Sequence, residues 1–386
     1  MLALGPFLQA TACLAAGGEA FVSQHVGDLD GEPARAFLEE VVDGLEEFLQ
    51  ARGALLVVDE HPDYPSTALG ERLAAERGAP LLRVQHHLAH AAAVLAEHGA
   101  FPPPGTRAAA IALDGTGWGS DGTAWGGEWL LLDGDLGWRR LASLEPLPLV
   151  GSEAAVREPW RVVIAALAHA GALELLPRTP LAGLVAGDRI AAIARLVAQP
   201  GWPLASGAGR LFEAAGALLG LAAVNGWEGE AAARLEALAA SAWPAAPWPG
   251  LSVVSALRAT GHGPRATDHG PLPLLPSASL LAEAARRVAA GEPPAALAAG
   301  FHATFCRLAV ELTAHVVPAG VRTVAVGGGC LVNRLLRDGL ARGLAGAGYD
   351  ALFPQQLPPG DGGIAYGQAV LGAVAAATGA GPHEED

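Results

Sequence analysis

The apolar and polar positions divide the chain into short unbroken apolar runs and longer stretches of helical period. Residues 2–24 set short apolar runs between Gly5-Pro6 and Gly17-Gly18, which predicts a hairpin at a sheet edge. From Asp30 or Glu32, apolar side chains recur at Phe37, Leu38, Val41, Val42, Leu45, Phe48 and Leu49, the spacing of one helix face, until Gly53. Ala54-Leu55-Leu56-Val57-Val58 is apolar without a break, as a strand buried on both faces of a parallel or mixed sheet would be. A loop and a further helix lead to a second run, Leu81-Leu82-Arg83-Val84, and Ala108 to Leu113 form a third. From Glu153 to about Ala240 the pattern turns Ala/Leu-rich and helical, broken at Gly171, Pro177 to Pro180 and Pro200 to Pro203. Residues 243–249 and 261–276 are rich in Pro and Gly and predict loops. A helix from Phe301 to Val317 follows, carried by Phe301, Phe305, Leu308 and Leu312, then a strand from Thr323 to Val326 that runs into Gly327-Gly328-Gly329.

With 386 residues, 51% hydrophobic and 16% charged, the chain has enough apolar material for a globular protein of two or three lobes. Its 24 basic residues face 39 acidic ones, a formal charge of -15 that argues against a nucleic-acid surface. Cys13, Cys306 and Cys330 lie far apart with no CxxC, which excludes a zinc finger and a disulfide framework and fits a reducing cytoplasm. The first 17 residues are apolar, yet the first Lys or Arg is Arg35, so the basic start of a signal peptide is missing. No uninterrupted apolar run approaches the ~18 residues of a membrane span, so the expectation is a soluble chain without a membrane partner.

Candidate chemistry gathers where strands end. His86 and His90, in Val84-Gln85-His86-His87-Leu88-Ala89-His90, are four residues apart and stack on one face if residues 86–98 are helical. Such a pair can cap, pack or face water, or it can hold a metal ion. Asp114 and Asp361 stand in glycine-rich settings where a side chain can reach out of a strand end, and two imidazoles with one or two carboxylates suit Zn or Fe. The run Gly115, Gly117, Gly119, Gly122, Gly126, Gly127 suits close approach to a phosphate or, equally, a tight hairpin. Gly327, Gly328 and Gly329 before Asn333, and Asp361-Gly362-Gly363, each join an ordered segment to a helix N-terminus, an arrangement that favours a nucleotide in a cleft between two lobes. Arg157, Arg161 and Arg210 fall at helix starts, where a solvated face is favoured over an anion contact.

Taken in order, these motifs are familiar. Val84 to His90, Leu113-Asp114-Gly115-Thr116-Gly117-Trp118-Gly119 with Asp121 to Glu128, Arg157 to Arg161, Gly327 to Arg334 and Pro358 to Gln368 resemble the C-terminal, TsaD-like part of the HypF family of hydrogenase maturation carbamoyltransferases. His61 to Thr67 and Ser206 to Ala214 add to the likeness, which runs from near residue 2 to about residue 375. The resemblance implies an α/β, actin-like ATPase (ASKHA, TsaD-like) fold of two mixed-sheet lobes with a helical insertion. Residues 1–145 would be the first lobe, 146–300 the insertion, and 301–386 the rest of the second lobe. It implies a divalent metal on His86, His90 and Asp361 with Asp114 as fourth ligand, and catalytic roles for Asp114 and Asp361. ATP, AMP or carbamoyl-adenylate would lie against Gly115, Gly117, Gly327, Gly328, Gly329, Asn333, Gly362 and Gly363. The family passes a carbamoyl group to the C-terminal cysteine of HypE, which becomes the expected partner here.

Departures from the family pattern set further expectations. No zinc fingers, acylphosphatase or YrdC-like domain precede the match, so the chain reads as a split or truncated form served by a separate YrdC-like or acylphosphatase-containing protein. Gln9 stands where the family tends to have Lys, so the expectation is either a nucleotide affinity lower than in the full-length protein or phosphate binding that rests on metal and backbone alone. Two rival readings are an O-carbamoyltransferase acting on a small-molecule hydroxyl and a non-catalytic nucleotide-binding subunit; the four candidate ligands and both glycine-rich junctions favour an enzyme.

Overall fold

Leu56, Val57 and Val58 are fully buried. Such a run needs neighbours along both edges and cover on both faces, and the computed structural model, which describes residues 1–253 and 272–385, supplies both. Strands β1 (Leu2–Ala3), β2 (Cys13–Ala16), β3 (Glu19–Val22), β4 (Leu56–Asp59) and β5 (Leu81–Val84) form a mixed sheet in the order β3-β2-β1-β4-β5. Alternate side chains leave β4 on opposite faces. Leu56 and Val58 pack with Leu38 and Val42 of the helix Glu32–Leu49, while Val57 packs toward Leu88 and Ile364. The same helix leaves Phe37 and Phe48 exposed, although both fit its apolar period.

A second sheet is built on β6 (Arg107–Trp118), β7 (Ala124–Asp133), β8 (Gly137–Leu144), β9 (Leu147–Pro148), β10 (Leu204–Ala205), β11 (Leu274–Leu275), β12 (Thr323–Gly327), β13 (Asp350–Leu352) and β14 (His383–Glu384). Its main path is β11-β8-β7-β6-β12-β13, and β6 runs antiparallel to β7 but parallel to β12, with Ile111 level with Trp129 and Val326. Segment 1–145 therefore contributes strands to both sheets, because β6 finds β12 more than 200 residues away rather than the nearby β5. The helices read as an insertion, among them Trp160–His169 and Ala208–Leu218, share one continuous core with the second sheet and the helix Pro294–Val316.

Between the two sheets lie two helices. Ile364–Thr378 packs on the first sheet, His86–Glu97 on the second, and the two pack on each other. Helices so placed are apolar nearly all round. Their contact is tight, since a β-carbon on Gly367 would stand 1.9 Å from the carbonyl oxygen of Ala89.

Boundaries shift modestly from the sequence reading. β4 ends one residue later, on Asp59; the first long helix ends at Gln50 in a left-handed cap rather than at Gly53; and the core helix begins at Pro294, whose ring suits a first turn. Residues 261–271 of the expected loop lie outside the described residues. Pro294–Val316 is, among the described residues, the one helix long and apolar enough to cross a membrane, and 72% of its apolar window is buried within the protein.

Because backbone cannot yield as a side chain can, Gly367→Ala should lower stability by about 1–3 kcal/mol or more through overpacking. A urea unfolding midpoint equal to wild type would show that the two helices separate freely.

Candidate functional site

Gln85 sets the start of the metal-candidate helix. Its side-chain oxygen accepts the Leu88 N–H at 3.0 Å, capping the first turn, while its amide donates to the Trp118 carbonyl at 2.8 Å across to β6. His86 and His90 then project from one face, with ring centroids 5.1 Å apart. Asp114 leaves β6 where the β6–β7 register slips between Leu113 and Gly117, an irregularity of the kind that re-aims a side chain. Asp361 opens the short turn Asp361–Gly363 before the helix Ile364–Thr378.

These four side chains, drawn from three separate parts of the chain, converge. Nε2 of His86 lies 3.5 Å from Oδ2 of Asp114 and 3.6 Å from Oδ1 of Asp361, and Nε2 of His90 lies 3.9 and 3.7 Å from the same oxygens. A tetrahedral ion with bonds of about 2.1 Å would have donor–donor edges of about 3.4 Å, so the spacing suits a single small cation. Both Nε2 atoms are buried without a hydrogen-bond partner, as lone pairs reserved for an ion would be. The other nitrogen of His86, Nδ1, faces Oδ2 of Asp59 at 2.8 Å, which holds the ring in the tautomer that presents Nε2.

Asp59 is fully buried and is a residue the sequence reading passed over. Its signal was the one used for Asp114, an aspartate closing an apolar strand. Burial disfavours a charged His86, yet Asp361, Asp59 and Asp114 outweigh that cost and raise its pKa well above the ordinary histidine value. Burial likewise opposes the Asp114 carboxylate, but His86 and His90 hold it well below the usual range. His87, between the two candidate ligands, is kept neutral by burial and by its charged neighbour His86.

Asp114 and Asp361 also wall a cavity of about 360 Å³. Gly115, Gly329 and Asn333 line it, whereas Gly117, Gly327, Gly328, Gly362 and Gly363 do not. Those glycines meet packing demands instead. A β-carbon on Gly117 would stand 2.6 Å from the His87 ring, and one on Gly328, whose φ is +101°, would stand 2.3 Å from the Leu113 carbonyl. The run after Asp114 is thus a β6–β7 hairpin with one glycine at the cavity.

At the N-terminus of the helix Arg334–Gly346 the Arg334 N–H already donates to Glu236 at 2.8 Å. Asn333 caps the helix by accepting the Leu336 N–H at 3.0 Å and donates through Nδ2 to Nε2 of His302 at 2.9 Å. The N–H of Gly329 donates to Oδ1 of Asp114 at 3.0 Å.

Arg210 corrects the expectation of a solvated face. It is buried at the cavity wall, 3.1 Å from Glu213, and is the only cation among the described residues lining that space. Its helix starts at Ala208, packed so that Gly209 lies against the backbone of Gly115, which turns the arginine inward. Arg157 is exposed and Arg161 pairs with Glu158 at 2.5 Å. Thr116, Glu228 and Cys330 also line the cavity and were not singled out for it beforehand. Gln9 stands at the rim in a left-handed conformation with φ 49°, its N–H held by Asp28.

With this geometry in view, the comparisons are decisive. A family model described as "Carbamoyltransferase, Kae1-like Domain, second subdomain" matches residues 110–368, and one described as "HypF Kae1-like domain" matches residues 1–97. The chain belongs to the HypF carbamoyltransferase family. Carbamoyltransferase HypF2 of Cupriavidus necator is 44% identical over 95% of this chain, and HypF of Rhizobium leguminosarum bv. viciae 38% identical over 95%. The chain spans about half the length of these relatives, 46% and 44%. A shorter HypF homolog of Cupriavidus necator, 38% identical, is covered over 91% of its length by 97% of this chain. A crystal structure of full-length HypF in a phosphate- and nucleotide-bound form superposes with a TM-score of 0.80 at 27% identity, over 96% of this chain and 45% of that one. HypF membership and the two helix-flanked mixed sheets establish the actin-like, Kae1-type fold expected from the motifs.

Two outcomes follow for the site. Asp59→Asn should weaken Zn²⁺ binding about 10- to 100-fold in chelator competition, because His86 loses the carboxylate that orients it; equal affinity would remove Asp59 from the site. His302, lowered to about 4 by burial, stays neutral in the fold, whereas an unfolded chain protonates it below about pH 6.5. Acidification from about pH 6.5 to 4 should therefore cost about 3 kcal/mol of stability through this group, at about 1.4 kcal/mol per pH unit. His302→Gln should flatten that part of the urea-midpoint profile, and an unchanged slope would assign the acid sensitivity elsewhere.

Proposed function

We propose that this chain transfers a carbamoyl group from carbamoyl-adenylate to the C-terminal cysteine of HypE, with the adenylate in the cavity and a divalent ion, Zn or Fe, on His86, His90, Asp114 and Asp361. One observation carries the reading: Asp114 and Asp361 belong both to the four-donor cluster and to the cavity wall, so ion and nucleotide would share a boundary. The relatives' names as HypF carbamoyltransferases support the reaction, and the phosphate- and nucleotide-bound HypF structure supports the ligand.

An ion at this position supplies Lewis acidity toward the carbamoyl carbonyl or the leaving phosphate. The protein's part is orientation and charge. Arg210 sets a buried positive group beside a cavity whose other charged lining residues, among those described, are Asp114, Glu213, Glu228, Glu236 and Asp361, and so opposes the charge of a phosphate. In the transfer, the HypE cysteine loses its proton to solvent, the thiolate attacks the carbamoyl carbon, a C–S bond forms, and the C–O bond to the phosphate breaks with release of AMP.

The chain's own thiols are poor acceptors. Burial pushes Cys13 and Cys306 up to about 12 and raises Cys330 well above the ordinary thiol range, so none presents a thiolate at neutral pH. Activation of carbamoyl phosphate falls, in this proposal, to a YrdC-like or acylphosphatase-containing protein.

Mass spectrometry of HypE incubated with this chain, ATP and carbamoyl phosphate tests the division of labour. Carbamoylated HypE should appear only when the activating protein is added. Product formed without it would overturn that division, and no product in either case would overturn the transferase reading. In parallel, His90→Ala should lose the ion in elemental analysis, and full occupancy would sink the metal assignment.

A further inference from the structure

The helix His86–Glu97 presents a third side chain on the face that carries its two candidate ligands. At 3.6 residues per turn, positions 86, 90 and 97 fall within about 40° of one another around the helix. Glu97 is the last residue of that helix. A carboxylate there faces the negative end of the helix dipole, which disfavours it. It is nonetheless drawn in, with a side chain only 4% exposed.

Its hydrogen-bond donors are three consecutive backbone N–H groups, and His98 Nε2 stands 3.8 Å from Oε1. Gln355 donates to Oε1 at 2.8 Å, while Gln356 and Leu357 donate to Oε2 at 3.1 and 3.3 Å. The neighbouring His98 contacts the Phe353 carbonyl through Nε2 at 2.9 Å. Next in sequence come Pro358 and Pro359, whose rings fix φ near about -65° and stiffen the path onward. The Pro359 carbonyl accepts the Gly328 N–H at 3.0 Å, and two residues later stands Asp361, within 3.7 Å of both histidine Nε2 atoms.

We infer that Glu97 is a positioning residue for Asp361: it pins the start of the segment 355–361 to the same rigid helix that holds His86 and His90, and the two prolines carry that constraint to the carboxylate. The inference rests on the metal reading above. Without Glu97 three adjacent N–H groups lose their acceptor, and the separation between Asp361 and the histidines is no longer held by one body.

The test uses the full chain with Zn²⁺ and Co²⁺ as probes. Glu97→Gln keeps the size but removes the charge and turns an NH₂ group toward the donors, so the Zn²⁺ dissociation constant in chelator competition should rise about 10- to 100-fold. Glu97→Asp, which retracts the carboxylate by one methylene, should show a smaller rise and serves if the glutamine variant does not fold. The visible absorption of bound Co²⁺ should change in both, and amides 355–357 should exchange faster, while those of 108–113 and 323–327 keep wild-type rates. Faster exchange at 355–357 with unchanged Zn²⁺ affinity and Co²⁺ spectrum would overturn the inference. A wild type that takes up neither ion would overturn the metal reading and this proposal with it.

Discussion

The backbone-to-backbone contact of Gly367 with Ala89 is the constraint on which the site depends. It lets two helices far apart in the chain lie against each other between the sheets, one carrying His86 and His90, the other following Asp361. Each helix is anchored to a different sheet. Interiors packed at this density transmit displacement rather than absorb it, so the distance between sheets and the distance between ligands are one quantity.

The electrostatics of the site follow from that burial. Three carboxylates gathered around two buried imidazoles at the edge of the cavity call for a compensating positive charge. Without an ion, a proton on His86 meets the need, which is why its pKa stands high despite full burial. An ion would meet the same need with a double charge, and its uptake would displace that proton. Asp59 serves in either state, as counter-charge to the imidazolium or as the group that fixes the tautomer of the neutral ring.

The cavity has a mixed lining whose composition restricts what can enter. Its acidic residues outnumber the single cation Arg210, so a polyanion gains little from side-chain charge alone. Under the proposed reading, phosphate binding there would lean on an ion at the cavity's edge, and the uncharged Gln9 at the rim is in keeping with that. The Gly329 N–H that could have faced a phosphate is turned to Asp114 instead, which ties the metal-candidate carboxylate to the loop leading toward Asn333.

Sequence alone determined whatever depends on neighbours within a few residues. The apolar runs marked the strands because burial on both faces leaves no polar positions, and the spacing of His86 and His90 marked a shared helix face because helix geometry is local. Glycine-flanked aspartates were legible for the same reason. The tertiary structure alone decided the rest. It paired β6 with β12 across the length of the chain, added Asp59 as the partner of His86, turned Arg210 inward, and packed Gly117 and Gly328 tightly against their neighbours. The physical reason is range: propensity, period and capping act over one or two turns, whereas which carboxylate meets which imidazole depends on how two sheets and the helices between them fill space, a property of no single segment.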